Sequence, residues 1–325
     1  MTYAMMINKT GTPDVLSWEK FDPGTPGPGD VRVTHEAIGL NFIDVYHRTG
    51  MYPLPFLPAV LGLEGAGVVD LVGKDVTEFV KGDRVGYAGV PVGAYSEIRC
   101  IPAHRLIKLP DAISTRSAAG MMLQGMTASY LLTSCFKVKP ENTILIHAAS
   151  GGVGSIMCQW ANHIGATTIG TVGSKEKAEI AKKNGCKHTV LYQDEDFAEA
   201  VQKITKGQGV DVVYDSVGQA TFMQSLDCLR PRGVMVSFGQ SSGHVEPINI
   251  SLLGTKGSLF LTRPSVMQYT AERADLVTHA KNLFDVVTSG VVKINIMQEY
   301  ALRDAAQAHK DLEARKTMGS TVLLP

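Results

Sequence analysis

Cysteine is scarce in this 325-residue chain, and what there is lies scattered: Cys100, Cys135, Cys158, Cys186 and Cys228, no two within a few residues of one another. That spacing excludes a zinc knuckle and a C-x-x-C redox pair. An odd, dispersed set suits free thiols in a reducing compartment, so a cytoplasmic protein is expected. Charge of one sign is also missing, since Lys and Arg balance Asp and Glu. No global basic field exists to gather nucleic acid or an anionic membrane. Long apolar runs are absent, and the opening MTYAMMINKTGTPDVL lacks a basic region followed by an apolar core. Neither a membrane span nor a signal peptide is expected. What the chain does have is length and 44% hydrophobic residues, enough for two cored domains.

The stretch Ile144–Gly165, ILIHAASGGVGSIMCQWANHIG, organises the rest. A short apolar run of the buried-strand kind comes first. A turn, Gly151-Gly152-Val153-Gly154, follows, and then apolar residues at Val153, Ile156, Met157, Trp160, Ala161 and Ile164, the spacing of a helix with one buried face. The free N–H groups and positive dipole end of such a helix attract a pyrophosphate. Gly151 and Gly152 let backbone approach phosphate, and Gly154 lets helix pack on strand. Read as G-x-G-x-x-G, the first glycine position holds Ala149.

About twenty residues on, a dinucleotide site chooses its cofactor. The second apolar strand, Thr168–Val172, ends at Gly173-Ser174-Lys175-Glu176-Lys177. A carboxylate there would hold a ribose 2′-OH and repel a 2′-phosphate, whereas a hydroxyl and ammonium groups bind the phosphate. NADPH preference is therefore expected, with Gly173, Ser174 and Lys177 at the phosphate. The alternatives are a solvated helix face for the lysines and Glu176 as the acid of an NAD site.

Alternation continues beyond it: helix Lys175–Asn184 stopped by Gly185, strand Thr189–Leu191, helix Asp196–Lys206, strand Val210–Asp215, helix Thr221–Leu229, strands Gly233–Phe238 and Ser258–Leu261. Six strands predict a doubly wound parallel sheet, with ligands beyond the strands' C-terminal ends. Tyr192, Ser216, Val217, Phe238, Gly239 and Thr262 fall there, Tyr192 to cover an adenine and Phe238 and Gly239 to line the nicotinamide side. Residues 1 to about 125 read instead as short strands among Gly/Pro turns, a small partly open barrel. Within it, Asn41-Phe42-Ile43-Asp44-Val45-Tyr46-His47-Arg48 opens a short helix, and Met51–Pro58 is a proline loop of the kind that carries sites. Helices are expected at Ser114–Gly120, Met126–Cys135, Ala274–Thr288 and Leu302–Glu313, strands at Val31–Ile38, Gly65–Val72, Ala94–Ile101 and Ser320–Leu324.

Taken together, GLNFIDVY (Gly39–Tyr46), GLEGAG (Gly62–Gly67), Gly82-Asp83-Arg84-Val85, AASGGVG, Val213–Gly218 and Val236–Gly239 resemble the medium-chain dehydrogenase/reductase superfamily. Within it the chain is similar to the zinc-independent quinone oxidoreductases, the NADPH:quinone reductase and zeta-crystallin group. The resemblance implies a GroES-like barrel from residues 1–125 and 265–325 and a Rossmann domain over 126–264. Zinc-dependent branches place Cys in the segment of Asn41–Asp44 and His before the Glu of G-H-E; here Leu63 precedes Glu64, and leucine ligates nothing. No metal is expected. The family pattern adds cofactor contacts at Asn41, Phe42, Ile43, Asp44, Tyr46, Thr127, Tyr130, Val153 and Arg315, and a homodimer through the last Rossmann strand, Phe260, Leu261 and Thr262. Tyr130 as a core aromatic and Arg315 as a solvated charge are the plain alternatives.

A quinone is already electrophilic and needs no metal to polarise it. Asn41, Tyr46 and Tyr52 are the candidate catalytic groups: Asn41 and Tyr46 to hydrogen-bond the nicotinamide or the quinone oxygen, Tyr52 to stack on a flat acceptor or donate a proton. Loop packing is the other use of either tyrosine. The expected activity is NADPH-dependent reduction of quinones. Reduction of the double bond of an enone or alkenal is the enzymatic alternative, and a crystallin-like or RNA-binding role the non-enzymatic one.

Overall fold

The structure is a computed structural model that describes residues 2–325. The chain divides into two compact units: Met1–Met126 with Thr270–Thr288 and Ile294–Pro325, and Thr127–Tyr269 with Ser289–Lys293.

The first unit begins with β1 (Thr2–Ile7), β2 (Leu16–Phe21) and β3 (Asp30–Leu40), then α1 (Phe42–Thr49), β4 (Ala59–Val60), β5 (Glu64–Val72), β6 (Arg84–Ala88), β7 (Ile98–Pro102), β8 (Ile107–Lys108), α2 (Thr115–Ala119) and α3 (Met122–Tyr130). The expected strand Ala94–Ile101 is shorter at its start. Residues Gly93, Ala94 and Tyr95 bond back to Gly62 and Leu61 as a turn, and pairing with β3 begins only at Ile98. The expected helix Met126–Cys135 starts earlier, at Met122, and ends in a π-helical turn, Leu131–Cys135.

The second unit carries β9 (Thr143–Ile146), α4 (Gly152–Ile164), β10 (Thr167–Val172), α5 (Lys175–Lys183), β11 (His188–Leu191), α6 (Phe197–Ile204), β12 (Val210–Asp215), α7 (Phe222–Asp227), β13 (Leu229–Ser237), α8 (Ser251–Thr255), β14 (Phe260–Thr262) and α9 (Val266–Tyr269). The sheet order is β11-β10-β9-β12-β13-β14, all parallel. This is the doubly wound order, in which β9 and β12 flank the point where the strand order reverses. Apolar strands buried on both faces make its core: Leu145, Ile169, Val190, Val213 and Met235 are all at most 1% exposed. Strand β13 starts at Leu229, so α7 stops short of the expected helix end.

The chain then returns to the first unit with α10 (Arg273–Thr288), β15 (Ile296–Ala301), α11 (Ala305–Glu313) and β16 (Ser320–Leu324). The principal sheet there runs β15-β16-β3-β5-β6-β8, with β7 also on β3, and a smaller sheet runs β2-β1-β4. Long β3 is the hub, taking β5, β7 and β16 antiparallel. Its inward residues Val33, Ile38 and Leu40 pack with Leu61, Val85 and Tyr87.

Candidate functional site

In the second unit the polar equipment lies at the C-terminal edge of the sheet. After β9 the chain turns through Ala148, at φ +52°, and Ala149 N–H bonds Thr171 O at 3.1 Å, tying the loop to β10. Ala149 fits where a glycine was expected because Gly170 faces it: a Cβ on Gly170 would lie 2.5 Å from that of Ala149. The glycines of the turn differ in kind. A Cβ on Gly154 would lie 2.3 Å from Ala148 O, so packing requires a bare backbone there. Gly151, the N-cap of α4, has an ordinary φ of −77°, and its Cβ would meet only Ala148 O at 3.3 Å. The backbone angle at 151 does not demand glycine, and the steric demand there is weaker than at 154. The open space lies at the N-terminus of a thirteen-residue helix, where first-turn N–H groups attract an anion. Gly152 and Val153 begin that turn.

Beyond β10, Ser174 caps α5, its Oγ accepting from Lys177 N–H at 3.2 Å. The cap uses an oxygen lone pair and leaves the hydroxyl proton for an acceptor. A Cβ on Gly173 would lie 2.6 Å from the Tyr192 hydroxyl, so Tyr192, 40% exposed, sits over this same corner. Past β12, Asp215 is buried and accepts from the N–H groups of Val217 and Gly218 and from Thr221 Oγ1. Phe238 and Gly239 N–H bond Asp215 O, which clamps the loop after β13 onto Ser216 and Val217. Thr127 and Tyr130 are both buried, and Tyr130 stacks on Tyr269 with centroids 4.4 Å apart. Phe260 and Leu261 of β14 are exposed at the sheet edge, with Thr262 half-buried.

In the first unit the equipment is built from side chains. Asn41 caps α1, and Asp44 Oδ2 accepts its N–H at 2.9 Å. Asp44 is fully buried and also accepts from Tyr95 Oη; burial raises its carboxyl to about 7. Asp44, expected at the cofactor, is thus enclosed within the unit as the brace of α1. Tyr95 Oη also meets His309 Nε2 at 3.0 Å, and Arg48 reaches His309 Nδ1 at 2.9 Å and Glu313 at 2.7 Å. A guanidinium only donates, so His309 is neutral with its proton on Nε2. Burial, then Arg48, lowers it to about 3.

The Asn41 carboxamide is held at both ends: Nδ2 donates to Glu64 Oε2 at 2.7 Å and Oδ1 accepts from Gln124 Nε2 at 3.2 Å. Glu64 is fully buried and raised by burial to about 8. Gly39 makes room for it, since a Cβ there would lie 2.1 Å from Glu64 Oε2. Tyr46 and Tyr52 meet edge to face, centroids 5.0 Å apart, and Tyr52 N–H bonds Tyr46 O. Phe42 leans on Tyr46; with Ile43 it lies half-buried in the first turn of α1. His47, buried with Nδ1 lacking a partner, lies edge-on to Tyr52. Arg315 is exposed after α11 at φ +58°.

Sequence reasoning missed Glu64, Gln124, Tyr95, His309 and Arg48 as parts of this frame. A carboxylate inside the apolar start of β5 was the one signal, because such a group is almost never buried unless paired. Among the described residues no group of three or more His, Cys, Asp or Glu could hold a metal ion.

Residues 27–111 match the alcohol dehydrogenase GroES-like domain and residues 152–280 the zinc-binding dehydrogenase family. The chain is 50% identical over 332 residues to a 2-haloacrylate reductase of Burkholderia, covering 100% of this chain and 99% of that one. It is 49% identical over 315 residues to a quinone oxidoreductase of Pseudomonas aeruginosa, covering 97% of each. Among solved structures, the quinone oxidoreductase of Escherichia coli complexed with NADPH is 46% identical, with a TM-score of 0.98 and full coverage of both chains.

Proposed function

This chain belongs to the quinone oxidoreductases of the medium-chain dehydrogenase/reductase superfamily, and on that premise we propose which of its residues carry the reaction. It is an oxidoreductase that transfers a hydride from NADPH to a quinone. The observation that supports the residue assignment is the turn at the N-terminus of α4, where Gly151 is the N-cap and the first-turn N–H groups of Gly152 and Val153 can receive an anion.

In the second unit, Gly151, Gly152 and Val153 hold the pyrophosphate on backbone N–H groups. Ser174 donates its hydroxyl proton to the 2′-phosphate, Lys177 supplies charge, and Gly173 keeps the approach clear for Tyr192 above the adenine. Ser216, Val217, Phe238 and Gly239 line the nicotinamide side, with Thr127 and Tyr130 behind them. When bound, the nicotinamide supplies the hydride, so the chain's task is orientation and exclusion. In the first unit, Asn41 directs its carboxamide at the nicotinamide or the quinone oxygen. Tyr46 hydrogen-bonds the acceptor, and Tyr52 stacks on the flat ring or hands a proton to the reduced oxygen. Phe42, Ile43 and Arg315 are further cofactor contacts.

Phe260 is 62% exposed on a three-residue edge strand, which supports a homodimer closed by β14 against β14 of a second copy. Five free thiols support a cytoplasmic setting. Steady-state rates with benzoquinones and naphthoquinones, on NADPH and NADH in turn, test the assignment. NADPH-selective turnover is expected, and equal Michaelis constants for the two nicotinamides would defeat the role given to Ser174 and Lys177. Similarity to a 2-haloacrylate reductase favours a second reading, reduction of an activated double bond. Adding 2-haloacrylates and small enones to the same panel separates the two.

A further inference from the structure

We propose that Glu64 is the positioning residue for the Asn41 carboxamide, and that its proton sets the direction of a hydrogen-bond chain, Glu64–Asn41–Gln124–Ser320. All four side chains are buried and belong to the first unit. As drawn, every donor points toward Glu64. Ser320 Oγ donates to Gln124 Oε1 at 2.8 Å, Gln124 Nε2 to Asn41 Oδ1 at 3.2 Å, and Asn41 Nδ2 to Glu64 Oε2 at 2.7 Å. Leu123 N–H donates to Glu64 Oε1 at 2.8 Å. A carboxylate only accepts, so this direction belongs to the ionised form.

Protonation at Oε2 turns Glu64 into a donor toward Asn41. Asn41 then offers Oδ1 to Glu64 and gives Nδ2 to Gln124. Gln124 turns over in the same way, and Ser320 Oγ accepts from Gln124 Nε2. An amide's oxygen and nitrogen are nearly the same size, so both side chains reverse in place. One proton enters from solvent, and the Ser320 hydroxyl gives up its bond to Gln124 Oε1 and turns its own proton away. The consequence lies at Asn41: its second N–H moves from the Glu64 side to the Gln124 side. A ligand atom held there meets a donor in one direction and a carbonyl in the other. That last step rests on the reading of Asn41 as a cofactor or acceptor contact.

Burial places the exchange near neutrality, Glu64 being raised to about 8. Its titratable surroundings are Asp44 from α1, Tyr87 from β6 and Tyr95 from the turn before β7. Both tyrosines are raised by burial and stay neutral, and Asp44 opposes a second negative charge. His35 of β3, bonded to Tyr87, is lowered to about 4 and is neutral too. Arg99 of β7 lies over the Tyr87 ring. Leu123, Gln124 and Ser320 bring no ionisable group.

The test is Glu64→Gln. Its Oε1 accepts from Leu123 and its Nε2 donates to Asn41, which locks the reversed direction at every pH. In wild type, KM for NADPH or quinone steps between two plateaus with a midpoint near the Glu64 value, by about three- to tenfold, the worth of one neutral hydrogen bond. E64Q is expected to lie flat on the low-pH plateau. Gln124→Glu, which when ionised accepts from Asn41 and sets a second negative charge near Glu64, is expected to raise the midpoint, and this holds the proposal testable if E64Q does not fold. Asp44→Asn separates the neighbouring titration.

The side-chain amide resonances of Asn41 in the cofactor-free protein give the direct readout. They should shift with the same midpoint in wild type and not at all in E64Q. Amide resonances that ignore pH, a step surviving in E64Q, or E64Q lying on the high-pH plateau would overturn the proposal. Amide resonances that step while KM stays flat would uphold the reversal and instead remove Asn41 from the ligand.

Discussion

The second unit presents main-chain N–H groups, a helix cap and bare glycines, all within a few residues of a strand end. The first unit presents side chains braced by other side chains from far along the chain: Asn41 by Glu64 and Gln124, Tyr95 by His309, Arg48 by Glu313. Backbone sites follow from strand, turn and helix once these form, since helix ends always leave free N–H groups. Side-chain frames exist only after the whole unit has closed, so they should couple strongly to stability.

That difference can be broken first at Arg48. Arg48→Met removes the donor to buried His309 Nδ1 and both bonds to Glu313. A loss of about 3 kcal/mol is expected in urea unfolding, because His309 cannot turn to water. A variant as stable as wild type would mean that the frame is ornamental.

The glycine turn gives the matching contrast in the second unit. Gly154→Ala forces a carbon against Ala148 O and should cost about 1–3 kcal/mol of stability. Gly151→Ala, whose Cβ would meet Ala148 O at 3.3 Å, should lower the melting temperature far less than Gly154→Ala while raising KM for NADPH several-fold. Equal melting temperatures for the two would remove the distinction between a packing glycine and a ligand glycine. Ser174→Asp keeps a good cap but adds a charge facing the 2′-phosphate. About a tenfold rise in KM for NADPH is expected, with KM for NADH lowered and stability kept.

The smallest effect is on pH and stability. His309 is held near 3, below its ordinary 6.5, so the folded state binds fewer protons than the unfolded one between those values, and stability rises with pH there. Asp44 and Glu64, at about 7 and 8, lie above their ordinary 3.8 and 4.5. The folded state binds more protons in that interval, and stability falls as pH rises through it. The melting temperature should therefore peak on the acid side of neutral, and Asp44→Asn with Glu64→Gln should flatten the alkaline limb.

The parallel sheet was legible because short apolar stretches such as Ile144–Ile146 and Val212–Val213 alternate with helical spacing and turn residues. The Tyr46 and Tyr52 pair could be named from one short segment. The frame beneath them could not. Ser320 and Gln124 are 196 residues apart, and Arg48 and His309 are 261 apart, so no local periodicity joins them. Strand Ala94–Ile101 was drawn too long for a related reason: its early residues turn back onto Gly62 through bonds that alternation does not reveal. Asp44 read as a ligand contact; its bracing of α1 through Asn41 N–H and Tyr95 Oη was not legible, because Tyr95 lies 51 residues on.

The most direct measurement is kcat/KM for NADPH and for NADH in wild type and in Lys177→Ala, with one quinone held saturating. The account predicts a clear wild-type preference for NADPH that Lys177→Ala removes through KM alone, leaving kcat and melting temperature as they were. A wild type indifferent to the two nicotinamides, or a variant that keeps the preference, would contradict it.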